Sequence, residues 1–256
     1  TFESFVVGSF NELAYAAAQA IIKSPGHNYN PFFIYGPTGL GKTHLIQAIG
    51  NAIKEKFPNK EIHYIPLEKF AIDYVNALRN NKPNEFKQKY RKYDVLIMDD
   101  VQFISNKEKT QEELFHLFNS LYENNKQIIF SSDKHPNYIP GLEDRLRSRF
   151  GSGMIVDITE PDIESKMAII KTKLDEAGLA LGNEIVEYIA ASISGSIREL
   201  EGSLNAVICQ IQLKKRDLNI NEVKKLIKNN IKPNKNVSIQ NIVKTISDFY
   251  DIPEES

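Results

Sequence analysis

At 256 residues and 29.1 kDa, with 41% hydrophobic, 10% aromatic and 25% charged residues, the chain has the make-up of an ordinary globular protein: one large domain, or two smaller ones sharing a core. A formal net charge of −1 creates no general field for a polyanion, so any nucleic-acid contact has to come from a local patch. No apolar run approaches the roughly 18 residues of a membrane span, and the lone Cys209 rules out an internal disulfide; a reducing, cytoplasmic compartment is the expectation, with Cys209, beside Ala206-Val207-Ile208, as a buried core thiol.

The chain opens at Thr1 and stops at Ser256 just after an amphipathic segment, and is read as a fragment of something longer. Phe32–Tyr35 is the first short apolar run, and behind it stands Gly36-Pro-Thr-Gly-Leu-Gly41-Lys42-Thr43, the pattern G-x-x-x-x-G-K-[ST]. A helical period follows through Leu45, Ile46, Ile49 and Ile53, so the glycines lie between a strand and a helix. Several backbone N–H groups can then converge on one anion, in backbone conformations that a Cβ would obstruct. Lys42 supplies charge to the β and γ phosphates, the Thr43 hydroxyl suits Mg²⁺, and the helix dipole points at the same oxygens. The stretch holds a nucleoside triphosphate.

Further short apolar runs at residues 62–65, 95–98, 128–130 and 154–156 are buried-strand candidates, with a helical period at Leu114, Phe115, Phe118, Leu121 and Tyr122. This alternation predicts an α/β fold, a parallel sheet covered by helices. Val95-Leu-Ile-Met98 ends in Asp99 and Asp100: Asp99 is placed to hold Mg²⁺ through water and Asp100 to polarise an attacking water, the alternative being a solvated turn. Ser131-Ser132-Asp133 closes the next strand on the same sheet edge, within reach of a γ-phosphate. After Pro161 the pattern is helical only, with breaks at residues 177–178, 182–183, 194–196 and 216–217, which suits three or four helices. The expected divisions are 1–160, an α/β nucleotide-binding part; 161–230, a helical lid; and 231–256, a polar linker and the first helix of a further domain. The five histidines lack metal-ligand spacing, so no zinc site is expected.

With Arg145-Leu-Arg-Ser-Arg149-Phe-Gly and Gly195-Ser-Ile-Arg198-Glu-Leu-Glu-Gly202 added, these elements resemble the AAA+ ATPases and, within them, the DnaA family of bacterial chromosomal replication initiators. Phe5-Val-Val-Gly8-Ser-Phe-Asn11, Gly39-Leu-Gly-Lys-Thr-His-Leu45, Asp99-Asp-Val-Gln-Phe103, Asn106-Lys-Glu-Lys-Thr-Gln111 and Ser132-Asp-Lys-His-Pro136 stand in that family's order, over essentially the whole chain. The resemblance implies an ATP-dependent initiator with slow, regulatory hydrolysis. ATP or ADP would bind at Val7, Gly8, Asn11, Gly36, Thr38, Gly39, Leu40, Gly41, Lys42, Thr43 and His44, with Mg²⁺ on Thr43 and Asp99. It makes Asp100 catalytic, Asp133 the first sensor, Arg198 the second sensor and Arg149 a finger that enters the ATP site of the next copy, so that copies assemble into a helical filament. Val75, in an extra helical stretch at 67–90, with Lys107 and Lys109, would bind single-stranded origin DNA by tracking its backbone, since no aromatic platform is evident beside them. A replicative helicase and acidic phospholipids are further partners by resemblance.

Blander readings stand beside these. Val7, Gly8 and Asn11 could be a packed lead-in turn, Arg198 a partner of Glu201, Arg145 and Arg149 partners of Glu143 or Asp144, and the two lysines ordinary solvated residues. Pro37 departs from the glycine frequent in the family, and Asp100 stands where most AAA+ enzymes carry glutamate. The family's Asp-His-Thr-Thr duplex-reading signature is absent from the sequence, so duplex specificity is not expected of it. A related helicase loader or DnaA-like inactivator, and a metabolic P-loop kinase, are the rival readings.

Overall fold

The structure, a computed structural model, describes residues 2–230, with no side-chain detail for 229 and 230; the expected linker and helix at 231–256 lie outside the described residues. The apolar runs form β1 (Phe32–Tyr35), β2 (Ile62–Pro66), β3 (Val95–Asp99), β4 (Gln127–Ser132) and β5 (Met154–Asp157), paired in parallel in the order β2-β3-β4-β1-β5. Every residue of β3 and β4 is buried, as strands covered on both faces require. Side chains alternate between two cores: Phe32, Ile34, Val95, Ile97 and Ile129 enter one, and Phe33, Leu96, Met98, Ile128 and Phe130 the other.

The first core is covered by α1 (Glu12–Lys23) and α2 (Lys42–Lys56), the second by α3 (Leu67–Arg79), α4 (Pro83–Arg91), α5 (Glu108–Glu123) and α6 (Asp144–Phe150). The stretch expected as an extra helical insertion is the pair α3 and α4, turning at Asn81, whose φ is +55°. After β5 come α7 (Ile163–Glu176), α8 (Asn183–Ser192), α9 (Ile197–Lys214) and α10 (Ile220–Asn230), which contribute Ile170, Val186, Leu200 and Val223 to the first core. Asp162 caps α7 by accepting from the Ser165 N–H (2.7 Å), and Ser196 caps α9 by accepting from the Glu199 N–H (3.3 Å); the breaks at 182–183 and 194–196 lie at helix starts, those at 177–178 and 216–217 just past helix ends.

Cys209 is exposed, contrary to the expected core thiol. The run Ala206-Val207-Ile208 lies on α9, whose buried face is Leu200, Leu204, Val207 and Ile211. Two residues beyond Val207 is about 200° around a helix, so an apolar neighbour in sequence faces the opposite way.

Candidate nucleotide site and nucleic-acid surface

Because the strands are parallel, their carboxyl ends share one edge, where ligands of open α/β sheets bind. Tyr35 ends β1 beside Ser132 of β4, and the phosphate loop begins at the next residue. Gly39 (φ +80°) and Gly41 (φ +90°) take the left-handed conformation that lets the loop fold back, and Gly41 is the cap residue from which α2 starts. Lys42 is 7% exposed, and its ammonium donates to the carbonyls of Gly36 (2.7 Å) and Pro37 (2.8 Å). Burial pushes Lys42 below its ordinary value, while Asp100, Asp133 and Asp99 pull it back up and Arg198 adds to the lowering. Charges from β3, from the residue after β4 and from α9 thus converge on one loop lysine.

Asp99 is 3% exposed. Its Oδ2 accepts from the Thr43 hydroxyl (2.8 Å) and the Tyr64 phenol (2.7 Å), and its Oδ1 from the Ser131 hydroxyl and the Asp100 N–H (3.1 Å). Burial and the bond to Asp99 push the Tyr64 phenol well above its ordinary value. Asp100 adopts φ +58°, ψ +56°, a left-handed conformation that aspartate tolerates better than most residues and that turns the chain out of β3. The Gln102 amide donates to Asp100 Oδ1 (2.9 Å) and accepts from the Asp133 N–H (3.3 Å), joining the two strand ends. Among the described residues, Asp133 Oδ1 is buried without a hydrogen-bond partner. Tyr64, Gln102 and Ser131 were not singled out in the sequence. Gln102 and Ser131 lie in motifs that were, whereas Tyr64 gave no signal beyond its place in a strand.

On the other side of the loop, Phe5, Asn11, Leu40, Gly41, His44, Ile197 and other residues line a cavity of about 40 Å³. That is room for water and not for a purine ring. Asn11, 3% exposed, uses both ends of its amide on the turn itself, accepting from the Gly8 N–H and donating to the Val6 carbonyl, each at 2.9 Å. Gly8 lies where a Cβ would come within 2.5 Å of Ser165 Oγ on α7, and Val7 is 44% exposed. Both hydrogen bonds of the Asn11 side chain thus go to the turn in which it sits. His44 stands edge-on to Phe5 with ring centres 5.4 Å apart. Thr38 is exposed, and at Gly39 the loop meets the lid: its carbonyl accepts from the Arg198 N–H (3.2 Å), and a Cβ there would lie 2.6 Å from Ser196 Cβ. Glu201 turns to Lys173 (3.5 Å), and among the described residues Arg198 makes no ion pair.

Arg149 is not part of this cluster. It stands on α6 with its guanidinium 5.7 Å and 5.9 Å from the ring centres of Phe115 and Phe118, and makes no ion pair among the described residues. Arg145 shares that face over Phe115 (5.1 Å) but is bonded to Glu143 (2.5 Å), the blander pairing. Val75 is 41% exposed on α3, between exposed Ile72 and Leu78. Lys107 and Lys109 are exposed at the start of α5 and make no ion pair among the described residues. Phe103, 46% exposed, lies four residues before Lys107 in a 3₁₀ turn, Val101–Ile104, that packs against α3. The insertion is fastened by ion pairs: Asp73 of α3 meets Lys69 and Lys89 at 3.0 Å and the Tyr90 phenol at 2.9 Å, and buried Glu113 of α5 meets Lys87 at 3.5 Å.

The profile of the bacterial DnaA ATPase domain matches residues 1–157. Domain III of the Thermotoga maritima replication initiation protein DnaA is 40% identical, with a TM-score of 0.87 over 91% of this chain and 97% of that one. A replication initiator DnaA bound to AMPPCP and single-stranded DNA is 38% identical (TM-score 0.81, 100% of this chain and 75% of that one), and AMPPCP-bound DnaA from Aquifex aeolicus is 44% identical (TM-score 0.76, 84% and 65%). With a phosphate loop, a paired-acid strand end and four helices after the sheet in one AAA+ arrangement, the chain belongs to the bacterial DnaA family.

Proposed function

We propose that this chain is the ATP-binding and ATP-hydrolysing part of a chromosomal replication initiator, in which the bound nucleotide governs assembly of copies and their hold on single-stranded DNA. The gathering of Asp99, Asp100, Asp133 and Arg198 around Lys42 at the carboxyl edge of the sheet, with Thr43 hydrogen-bonded to Asp99, carries the reading. The relative solved with AMPPCP and single-stranded DNA supports it.

The loop N–H groups and Lys42 bind the β and γ phosphates, Lys42 turning from the Gly36 and Pro37 carbonyls to do so. Thr43 and Asp99 are hard oxygen donors placed side by side, which suits Mg²⁺ held by one hydroxyl, a carboxylate through water and phosphate oxygens. When bound, that ion offsets charge developing on the phosphates. Asp100, oriented by Gln102, accepts a proton from the attacking water; the water oxygen bonds to Pγ, the bond from Pγ to the bridging oxygen breaks, and ADP departs with the electron pair. Asp133 and Arg198 read the γ-phosphate. Because the Arg198 N–H is bonded to the Gly39 carbonyl, what the loop holds moves the lid, residues 161–230, relative to the α/β part, residues 1–160. Arg149 completes the site of a neighbouring copy, and Val75, Lys107 and Lys109 contact the single strand. Contacts with a replicative helicase and acidic phospholipids, and a cytoplasmic setting, belong to the same proposal.

Fluorescent-ATP binding and phosphate release test it. Lys42→Ala is expected to abolish binding. Asp100→Asn is expected to bind normally and hydrolyse about 100-fold more slowly. Unchanged hydrolysis in Asp100→Asn would remove Asp100 from the base role.

A further inference from the structure

Asp99 is held by donors on both of its oxygens, and they come from separate elements: Thr43 from α2, Tyr64 from β2, Ser131 from β4 and the Asp100 N–H from its own chain. Three of these have another duty or sit in the phosphate-binding sequence. Tyr64 has none. It lies on β2, the outermost strand, where its Cα pairs with Ile97 of β3, and it is half-buried. Its ring helps line a groove of about 520 Å³ with Gln47, Gly50, Asn51 and Tyr93. A tyrosine kept only for its ring could leave the hydroxyl in that open groove. Here it is turned inward, 2.7 Å from a carboxylate that is 3% exposed.

We propose that Tyr64 is a positioning residue for the nucleotide-associated cation: by donating to Asp99 Oδ2 it fixes the plane of the carboxylate, so that Asp99 and Thr43 present a preset pair of oxygens. The inference rests on the nucleotide reading above. Thr43 is a hydroxyl, with one proton and two lone pairs, and can keep its proton on Asp99 while its oxygen serves a cation. It cannot, alone, both ligate and hold Oδ2 against rotation, and the second donor on that oxygen is Tyr64. Partners of this kind, one shell behind a metal ligand, typically change metal affinity by about 10- to 100-fold when removed. Because the groove admits water, which can replace the lost bond without fixing its direction, the low end applies.

The test is the full chain with Tyr64→Phe, titrated with Mg²⁺ while binding of a fluorescent ATP analogue is followed, and titrated with the analogue in excess chelator. Melting temperature is measured in parallel, and Tyr93→Phe, a change in the same groove away from Asp99, is the control. The expected result is a roughly tenfold rise in half-saturating Mg²⁺ for Tyr64→Phe, with nucleotide affinity in chelator and melting temperature as in wild type, and no change for Tyr93→Phe. Ser131→Ala, which removes a donor from the other oxygen, is expected to raise the Mg²⁺ requirement in the same way. An unchanged Mg²⁺ requirement in Tyr64→Phe overturns the proposal, as does an equal loss of affinity in chelator, which would place the effect on the loop. Wild type that binds no nucleotide in either condition would overturn the nucleotide reading itself, a result distinguishable from either.

Discussion

Replacing Asn11 with alanine separates a residue that touches nucleotide from one that shapes the turn beside it. The side chain is 3% exposed and makes two hydrogen bonds of 2.9 Å, to the Gly8 N–H and the Val6 carbonyl. Each is worth about 1 kcal/mol net, and both backbone groups lose their partner in the variant, so the expected cost is about 2 kcal/mol. For a domain of this size that lowers the melting temperature by about 4–8 °C. Asn11→Asp keeps an acceptor for Gly8 but sets a buried carboxylate oxygen against the Val6 carbonyl, so at least as large a cost is expected. Thermal unfolding without nucleotide, beside a fluorescent-ATP titration, checks both. The variant should melt earlier before any ligand is added, with a smaller, secondary loss of affinity as the turn loosens. Unchanged melting with a large loss of affinity would refute this and return Asn11 to the role of a base contact.

Gly39→Ala introduces a Cβ 2.6 Å from Ser196 Cβ at φ +80°, which costs about 1–2 kcal/mol in backbone strain and forces the start of α9 away from the loop. A fold that persists with weakened ATP binding, and a double-mutant cycle with Ser196→Gly showing at least about 0.5 kcal/mol of favourable coupling in that binding, is expected; strict additivity would mean loop and lid do not meet there. Asp73 loses some of its charge preference to burial, but bonds from Lys89, Lys69 and Tyr90 outweigh that and hold its carboxyl below the usual range. A carboxylate depressed in the folded state stabilises above its unfolded pKa of about 3.9 and ceases to as pH falls through its folded value. Asp73→Asn is thus expected to cost about 1 kcal/mol at pH 7, given that Lys69 and Lys89 are 59% and 49% exposed, and to converge on wild type in unfolding measurements as pH falls below the folded value of Asp73. A cost independent of pH would assign the effect to packing.

The strands could be read from the chain because each is a short run, rich in β-branched and aromatic residues and bounded by turn-forming ones; length and composition, not alternation, separate such a run from a helix. The phosphate loop and the acids were legible for a related reason: residues at strand ends are brought together by the parallel sheet whatever the strand order. What depends on that order was not legible. Tyr64 reaches Asp99 because β2 lies beside β3, and Gln102 reaches both Asp100 and Asp133 because β3 lies beside β4, contacts that span 35 and 31 residues. Cys209 was misjudged where three apolar neighbours outweighed the helical period. Asn11 shows a different gap: the motif that places it beside a nucleotide is silent about both of its amide bonds, which go to backbone groups a few residues away.

In the proposed mechanism, nucleotide bound to one copy is sensed by the next and controls the hold on single-stranded DNA. Fluorescence anisotropy of a labelled single strand, with an ATP analogue or with ADP, for wild type and Arg149→Ala, tests it most directly. The account predicts binding that requires the ATP analogue and is lost in Arg149→Ala, since the guanidinium over Phe115 and Phe118 has no ion pair among the described residues to hold it from a neighbour. Binding that ignores both the nucleotide and Arg149 would contradict it.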